Sequence, residues 1–175
     1  LQAGTINSVL PDVNLKKWQA TLNVTPLDEL KYAWQSAFIG PGYLSAPPWG
    51  SVYLDPENVV FGTSLLDLRE FMTREGLLFE KTHNEPEDHF GLMLLLLAEI
   101  LKREQANRDV IAKELLVQHL LPWAPRYLEC LCRDSQHPFI IALGEYTQAQ
   151  LEKWQTQFGL IPASHALYWP VASSE

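Results

Sequence analysis

Residues 92–98 read LMLLLLA, a run that is apolar on every side of any helix it enters. Such a run must be covered, either by lipid or by the rest of a protein core. A bilayer span needs about 20 apolar residues, far more than this run offers, and no charged-then-apolar leader precedes it. It is therefore expected to be the central buried helix of a domain, reaching to about Lys102. A soluble, cytoplasmic protein with no membrane span is the corresponding expectation.

Other segments supply its neighbours. At Thr25-Pro26-Leu27-Asp28 the chain writes a helix start: a capping hydroxyl, a proline whose missing N–H costs nothing in the first turn, and an acid facing the helix dipole. Leu27, Leu30, Trp34 and Phe38 recur at helical spacing until Gly40-Pro41 stops the pattern. Ser64 with Asp67 is expected to cap the next helix, which carries Leu65, Leu68, Phe71 and Met72 inward and ends at Gly76. Before the apolar run, Pro86 is placed in a first turn crowded with acids. Residues 110–121 form another helix, residues 126–132 a short one, and Pro138 opens the last, with Ile140, Leu143, Thr147, Leu151, Trp154 and Phe158 on one stripe before Gly159. The first 23 residues show only an apolar patch at Leu15, Trp18 and Leu22, and read as turn and short helix.

Residues 41–63, PGYLSAPPWGSVYLDPENVVFGT, follow neither period. Val52-Tyr53 and Val59 to Phe61 hint at extended structure, yet the whole reads as one long apolar loop. Loops of this length inside a domain are uncommon and often functional, and one so apolar must pack on the body or await a partner. Trp49, restrained between Pro47-Pro48 and Gly50, is the residue whose placement separates a packed loop from a recognition groove. Six helical segments, no convincing strand and no internal repeat give an all-α, single-domain helical bundle spanning residues 1–175, with one long Pro/aromatic loop.

Charge narrows the function. With 13 basic against 21 acidic side chains the net charge is −8, which leaves no basic field for nucleic acid and favours a cationic ligand. The two cysteines, Cys130 and Cys132, point about 200° apart on a helix and read as free thiols of a reducing compartment. No Gly-rich phosphate loop follows a strand, and no Ser or Cys sits in a nucleophile motif. No catalytic residue, metal or cofactor is therefore assigned, and a binding protein rather than an enzyme is expected. His119 shares a face with Ile111, Leu115 and Leu116 and reads as a core histidine, while His137 before Pro138 reads as a cap or turn residue.

His83, Glu85, Glu87, Asp88 and His89 form the one polar cluster with chemical potential. Its spacing is not the i, i+4 histidine pair of a helical metal site. Three readings stay open: a capping cluster in which Asp88 or Glu87 accepts backbone N–H groups and His89 packs on the next turn, an acidic face for a cationic peptide, or catalysis. From other functional classes come a nucleotide- or metal-dependent switch built on residues 85–89, and a structural subunit whose apolar loop is an oligomer interface.

The segments FIGPGYLSAPPWGSVYLD, FGTSLLDLREFM, NEPEDHFGLML, HLLPWAPRYLE and HPFIIALGEY, in this order, closely resemble the TorD/DmsD family of redox-enzyme maturation chaperones, over about residues 27–169. EPEDH with the downstream HPF is the specific pair of signatures, and PPWGSVY followed by LD points to the DmsD-like branch. The resemblance implies an all-helical fold without resident cofactor. It implies binding of the twin-arginine signal peptide of a molybdenum-cofactor reductase catalytic subunit, of the dimethyl sulfoxide reductase type, and its retention in the cytoplasm from Tat export until the cofactor is loaded. Components of the Tat translocase are further implied partners. By the same resemblance the peptide-binding surface falls on Trp34, Phe38, Trp49, Gly62, Glu85, Pro86, Asp88 and His89. Gly42 and Ala37 stand where relatives carry larger side chains, which implies a wider pocket here. Relatives begin with about two further helices, and the first residue here is Leu rather than Met, so an upstream segment is expected.

Overall fold

A computed structural model of the chain describes residues 13–40, 42–78 and 85–169. Among these residues it is all-helical: α1 (Val13–Val24), α2 (Leu27–Phe38), α3 (Gly50–Leu54), α4 (Thr63–Arg74), α5 (Phe90–Lys102), α6 (Arg108–Glu114), a π-helical segment (Leu115–Leu120), α7 (Ala124–Asp134) and α8 (Pro138–Phe158). None of these helices is long and apolar enough to cross a membrane. Two compact units divide the chain, Leu1–Ser45 with Leu128–Gln150, and Ala46–Tyr127 with Leu151–Glu175.

In the first unit the patch at Leu15, Trp18 and Leu22 belongs to the twelve-residue helix α1, not to a turn. The 3 and 4 spacing of those residues is a helical stripe, and Trp18 secures it by stacking on Tyr146 at 5.9 Å and tilting over Phe139 at 6.1 Å. Thr25 does not cap α2. Its hydroxyl donates back to Thr21 O at 2.6 Å and so closes α1, while Pro26 takes the N-cap position without a side-chain bond. His137 does cap: its Nδ1 accepts from Phe139 N at 3.1 Å, and its Nε2 meets Glu29 Oε1 at 3.2 Å.

The second unit is built around Trp123, which is fully buried against Tyr53 (5.5 Å), Tyr127 (5.8 Å) and Phe90 (6.0 Å). Helix α5 is not buried all round as its composition suggested. Phe90, Met93, Leu96, Leu97 and Ile100 face the core, whereas Leu95 is 63% and Leu101 47% exposed. Helix α4 ends as the sequence indicates, with Gly76 at φ +60° letting Leu77 N reach Met72 O at 2.8 Å. Its start differs: Gly62 is the N-cap, and Ser64 lies inside the helix with a buried, unpartnered hydroxyl instead of capping with Asp67. Residues 160–169 have no regular structure but are tied down by Ala163 N to Val117 O and Tyr168 N to Tyr53 O, both 2.9 Å.

The segment 42–63 is not one loop. Gly50 to Leu54 form helix α3, in which Gly50, Ser51, Val52 and Tyr53 are all buried. Gly, Ser, Val and Tyr are weak helix formers, so burial rather than propensity holds this turn, and no period could announce it. Ala46, Pro47 and Pro48 are buried beside it, while Tyr43 and Phe61 at the two ends are 80% and 60% exposed. The middle of the loop packs and its flanks do not. Pro41, residues 1–12, His83 with the rest of residues 79–84, and residues 170–175 lie outside the described residues.

Candidate functional site

The backbone before α3 runs beside the backbone before α5. Trp49 and His89 form an isolated antiparallel bridge, Phe90 N donates to Pro48 O at 2.7 Å, and Gly50 N donates to Asp88 O at 3.1 Å. This pairing brings together residues 36 to 40 positions apart in the chain. The Trp49 indole N–H donates to Glu85 Oε1 at 2.5 Å, and its ring meets the His89 imidazole edge-on at 6.0 Å. Trp49 and His89 are half-buried, Glu85 is exposed and Pro86 is buried.

The acids here do not cap α5. His89 does, its Nδ1 accepting from Gly91 N at 3.1 Å, so Pro86 lies ahead of the helix in a turn that returns His89 N to Pro86 O at 3.1 Å. Asp88, only 3% exposed, reaches across to α3, where its Oδ2 accepts from Ser51 N at 2.7 Å. Burial pushes its carboxyl above the ordinary value, and the bonds with Ser51 pull the other way. Neither Asp88 Oδ1 nor the Ser51 hydroxyl completes a hydrogen bond of good geometry. Glu87 is held by Arg69 of α4, whose Nε and Nη2 lie 2.8 and 2.7 Å from Oε2. Among the described residues no group of three His, Cys, Asp or Glu side chains is placed to hold a metal ion.

Inside this corner lies a cleft of ≈ 340 Å³. Gly50, Asp88 and Trp123 form its inner wall, and Ser64, Asp67 and Glu70 line the α4 side. Glu114, Gln118, His119 and His165 also line it. His119 is therefore a cleft residue rather than a core one. It is half-buried, its ring tilted over Phe71 at 5.0 Å, and it sits in the π-helical segment, where Leu121 N bonds Leu116 O at 2.8 Å across five residues. Such an extra residue is often kept where a side chain must be aimed at a site. Arg74 stands at the same cleft, bonded to Glu75 at 2.8 Å and Glu114 at 2.5 Å, with its guanidinium 5.4 Å from the centre of the Phe71 ring.

Of the other expected positions, Gly62 is pinned by space: a Cβ there would lie 2.6 Å from Asp55 Oδ2. Trp34 and Phe38 sit in the first unit on α2, ring centroids 4.6 Å apart, with Trp34 48% exposed. Ser51 and Arg69 carry no local pattern in the sequence, because each acts through a partner 18 or more residues away.

Burial also lowers the proton affinity of two rings. It holds His119 and His89 below the ordinary histidine value of 6.5, against the pull of Glu114 on the first and Glu85 on the second. A folded-state value below the unfolded one means that stability is lost as pH falls through 6.5, because the unfolded chain takes up protons that the folded one refuses. The unfolding free energy from urea titration is expected to drop between about pH 7 and about pH 5, by less than about 1.4 kcal/mol per pH unit for each ring. His119→Gln should remove part of that slope. A slope identical in the variant would show that His119 titrates normally.

The model of the family described as nitrate reductase delta subunit matches residues 9–129. The chain belongs to that family, of the TorD/DmsD type. The family is also visible in curated relatives. The "Tat proofreading chaperone DmsD" of Salmonella typhi is 46% identical over 137 residues, 78% of this chain and 65% of its own length. The "Probable Tat proofreading chaperone DmsD" of Haemophilus influenzae is 45% identical over 122 residues, 70% of this chain and 58% of its own. The "Chaperone protein TorD" of Aliivibrio fischeri is 30% identical over 116 residues, 61% of this chain and 54% of its own. The chain thus spans at most 65% of the length of these family members.

Proposed function

We propose that this protein is a Tat proofreading chaperone that captures a twin-arginine signal peptide through Trp34, Phe38, Trp49, Gly62, Glu85, Pro86, Asp88 and His89. Its client is the catalytic subunit of a molybdenum-cofactor reductase of the dimethyl sulfoxide reductase type, held in the cytoplasm and handed to the Tat translocase after cofactor loading. The role is binding, not catalysis. The observation that carries the reading is the pairing of the segments before α3 and α5, which sets a half-buried indole against Glu85, His89 and the Asp88 turn.

A twin-arginine signal joins two cations to an apolar stretch, so its receptor needs ring surface next to carboxylates. Magnitudes divide the labour. Four Leu-sized anchors at about 1.5–3 kcal/mol each supply roughly 6–12 kcal/mol gross, and ordering about ten peptide residues at about 1 kcal/mol or more apiece removes much of that. An exposed pair such as Arg with Glu85 adds about 0–1 kcal/mol. Apolar contact therefore sets the affinity, while the acids set orientation and association rate, leaving a complex weak enough to release its client.

The test is titration of a synthetic twin-arginine signal peptide. Trp49→Ala is expected to weaken binding about tenfold at any salt concentration, consistent with loss of one large anchor. Glu85→Gln is expected to slow association at low salt only. Both should melt within a few degrees of the parent, since neither residue is fully buried. Equal peptide affinity in all three proteins refutes the site.

A further inference from the structure

We infer that residues 160–169 are a detachable strap along the cleft, an internal competitor that the client peptide displaces before its apolar stretch can settle there. The inference rests on the signal-peptide reading and adds to it a segment outside the surface given above.

The strap is fastened at two points, and at each the helices leave a carbonyl over. In the π-helical segment Leu121 N bonds Leu116 O and so is lost to Val117 O, while the next residue, Pro122, has no N–H to give. Ala163 N takes that acceptor at 2.9 Å. At the end of α3 the Asp55 amide returns to Ser51 O and the Asn58 side chain donates to Val52 O, which leaves Tyr53 O to Tyr168 N, again at 2.9 Å. His165 lies between these anchors in the chain and lines the cleft. Gln118 and Leu54, the neighbours of the two acceptors, line it as well. The strap therefore runs along the cleft from the π-helical segment to α3.

Side-chain burial adds little to this attachment. Leu160 is buried as the chain leaves α8, where its amide returns to Gln155 O at 2.9 Å, but from Ile161 to Trp169 no residue is buried. Ile161 is 82%, Leu167 41% and Tyr168 40% exposed. A segment with surface backbone bonds and little apolar contact opens locally, well before the unit that carries it unfolds. An extended peptide can supply N–H groups to the same two carbonyls and, with apolar side chains that fit the cleft, remove more area from water than the strap does. The apparent affinity for such a peptide is reduced to the fraction of molecules whose strap is open.

The experiment titrates a synthetic twin-arginine signal peptide, and a scrambled peptide of the same composition, into the parent, Ala163→Pro and Tyr168→Pro. Each proline deletes one anchoring N–H, and neither position belongs to the peptide-binding surface given above. Loss of one backbone bond is expected to raise affinity for the signal peptide about two- to tenfold, with no gain for the scrambled one. The sign is decisive, because loosening a segment that is only a wall of the site weakens binding. An equal gain for the scrambled peptide, or unchanged or weaker binding in both variants, overturns the strap. Should either variant fail to fold, the parent decides through hydrogen exchange. The Ala163 and Tyr168 amides are expected to exchange at least tenfold faster than those of Leu96 and Leu97 in α5, and faster again once the signal peptide saturates the protein. Exchange in step with α5, or slowed by the peptide, overturns the proposal. A peptide that binds none of the three proteins refutes the signal-peptide reading, and the strap is then judged by exchange in the free protein alone: opening independent of α5 supports it, exchange in step with α5 overturns it.

Discussion

Trp123→Ala is expected to cost about 3–5 kcal/mol of stability, the range for removing a buried tryptophan, read as a large drop in the urea midpoint. The indole is fully buried and is shared by four elements of the second unit. It touches Tyr53 of α3, Phe90 of α5 and Tyr127 of α7, and its Nε1 donates to the carbonyl of His119 at 2.8 Å. Trp123→Phe keeps most of the ring and loses that bond, so it should cost much less. Because Trp123 also forms the inner wall of the cleft, the alanine variant should lose peptide binding along with stability. A variant that keeps the parent midpoint would mean that this cluster is not the core of the unit.

Gly50→Ala is expected to show the second large effect. A Cβ at Gly50 would lie 2.7 Å from Trp123 Nε1 and 2.8 Å from Cε2. The indole is packed against Tyr53, Phe90 and Tyr127, and Gly50 N is committed to Asp88 O. Overpacking of this kind costs about 1–3 kcal/mol. The cause can be separated from a helix-propensity effect, since alanine favours helix over glycine and would stabilise α3 if space allowed. In the background of Trp123→Ala the methyl enters a cavity, so the two losses should add to less than their sum. Strict additivity would place the clash elsewhere.

Both effects hinge on a helix that no sequence pattern announced. The long helices were legible because their signals are local: Leu27, Leu30, Trp34 and Phe38 share a stripe, and Gly76 and Gly159 mark ends by accepting a positive φ. Helix α3 was hidden because five residues give no period and its residues owe their conformation to burial. The candidate site divides the same way. The acids and histidine of residues 85–89 stood out, but their hydrogen-bonding roles did not, since Asp88 serves α3 and Glu87 serves α4 instead of their own helix. A regular helix would carry His119 inward with Leu115 and Leu116, which is why its spacing reads as that of a core residue. The π-helical turn is invisible to a count that assumes 3.6 residues per turn.

That turn has an evolutionary corollary. A segment wound with one residue more than an ordinary helix needs has a residue to spare, so loss of a single codon can be absorbed inside it, leaving the flanking helices in register while side chains within the segment turn by about 100°. His119 would then leave the cleft wall without any substitution at position 119. Length at Leu115–Leu120, and not only identity at position 119, thus decides which side chains line the cleft.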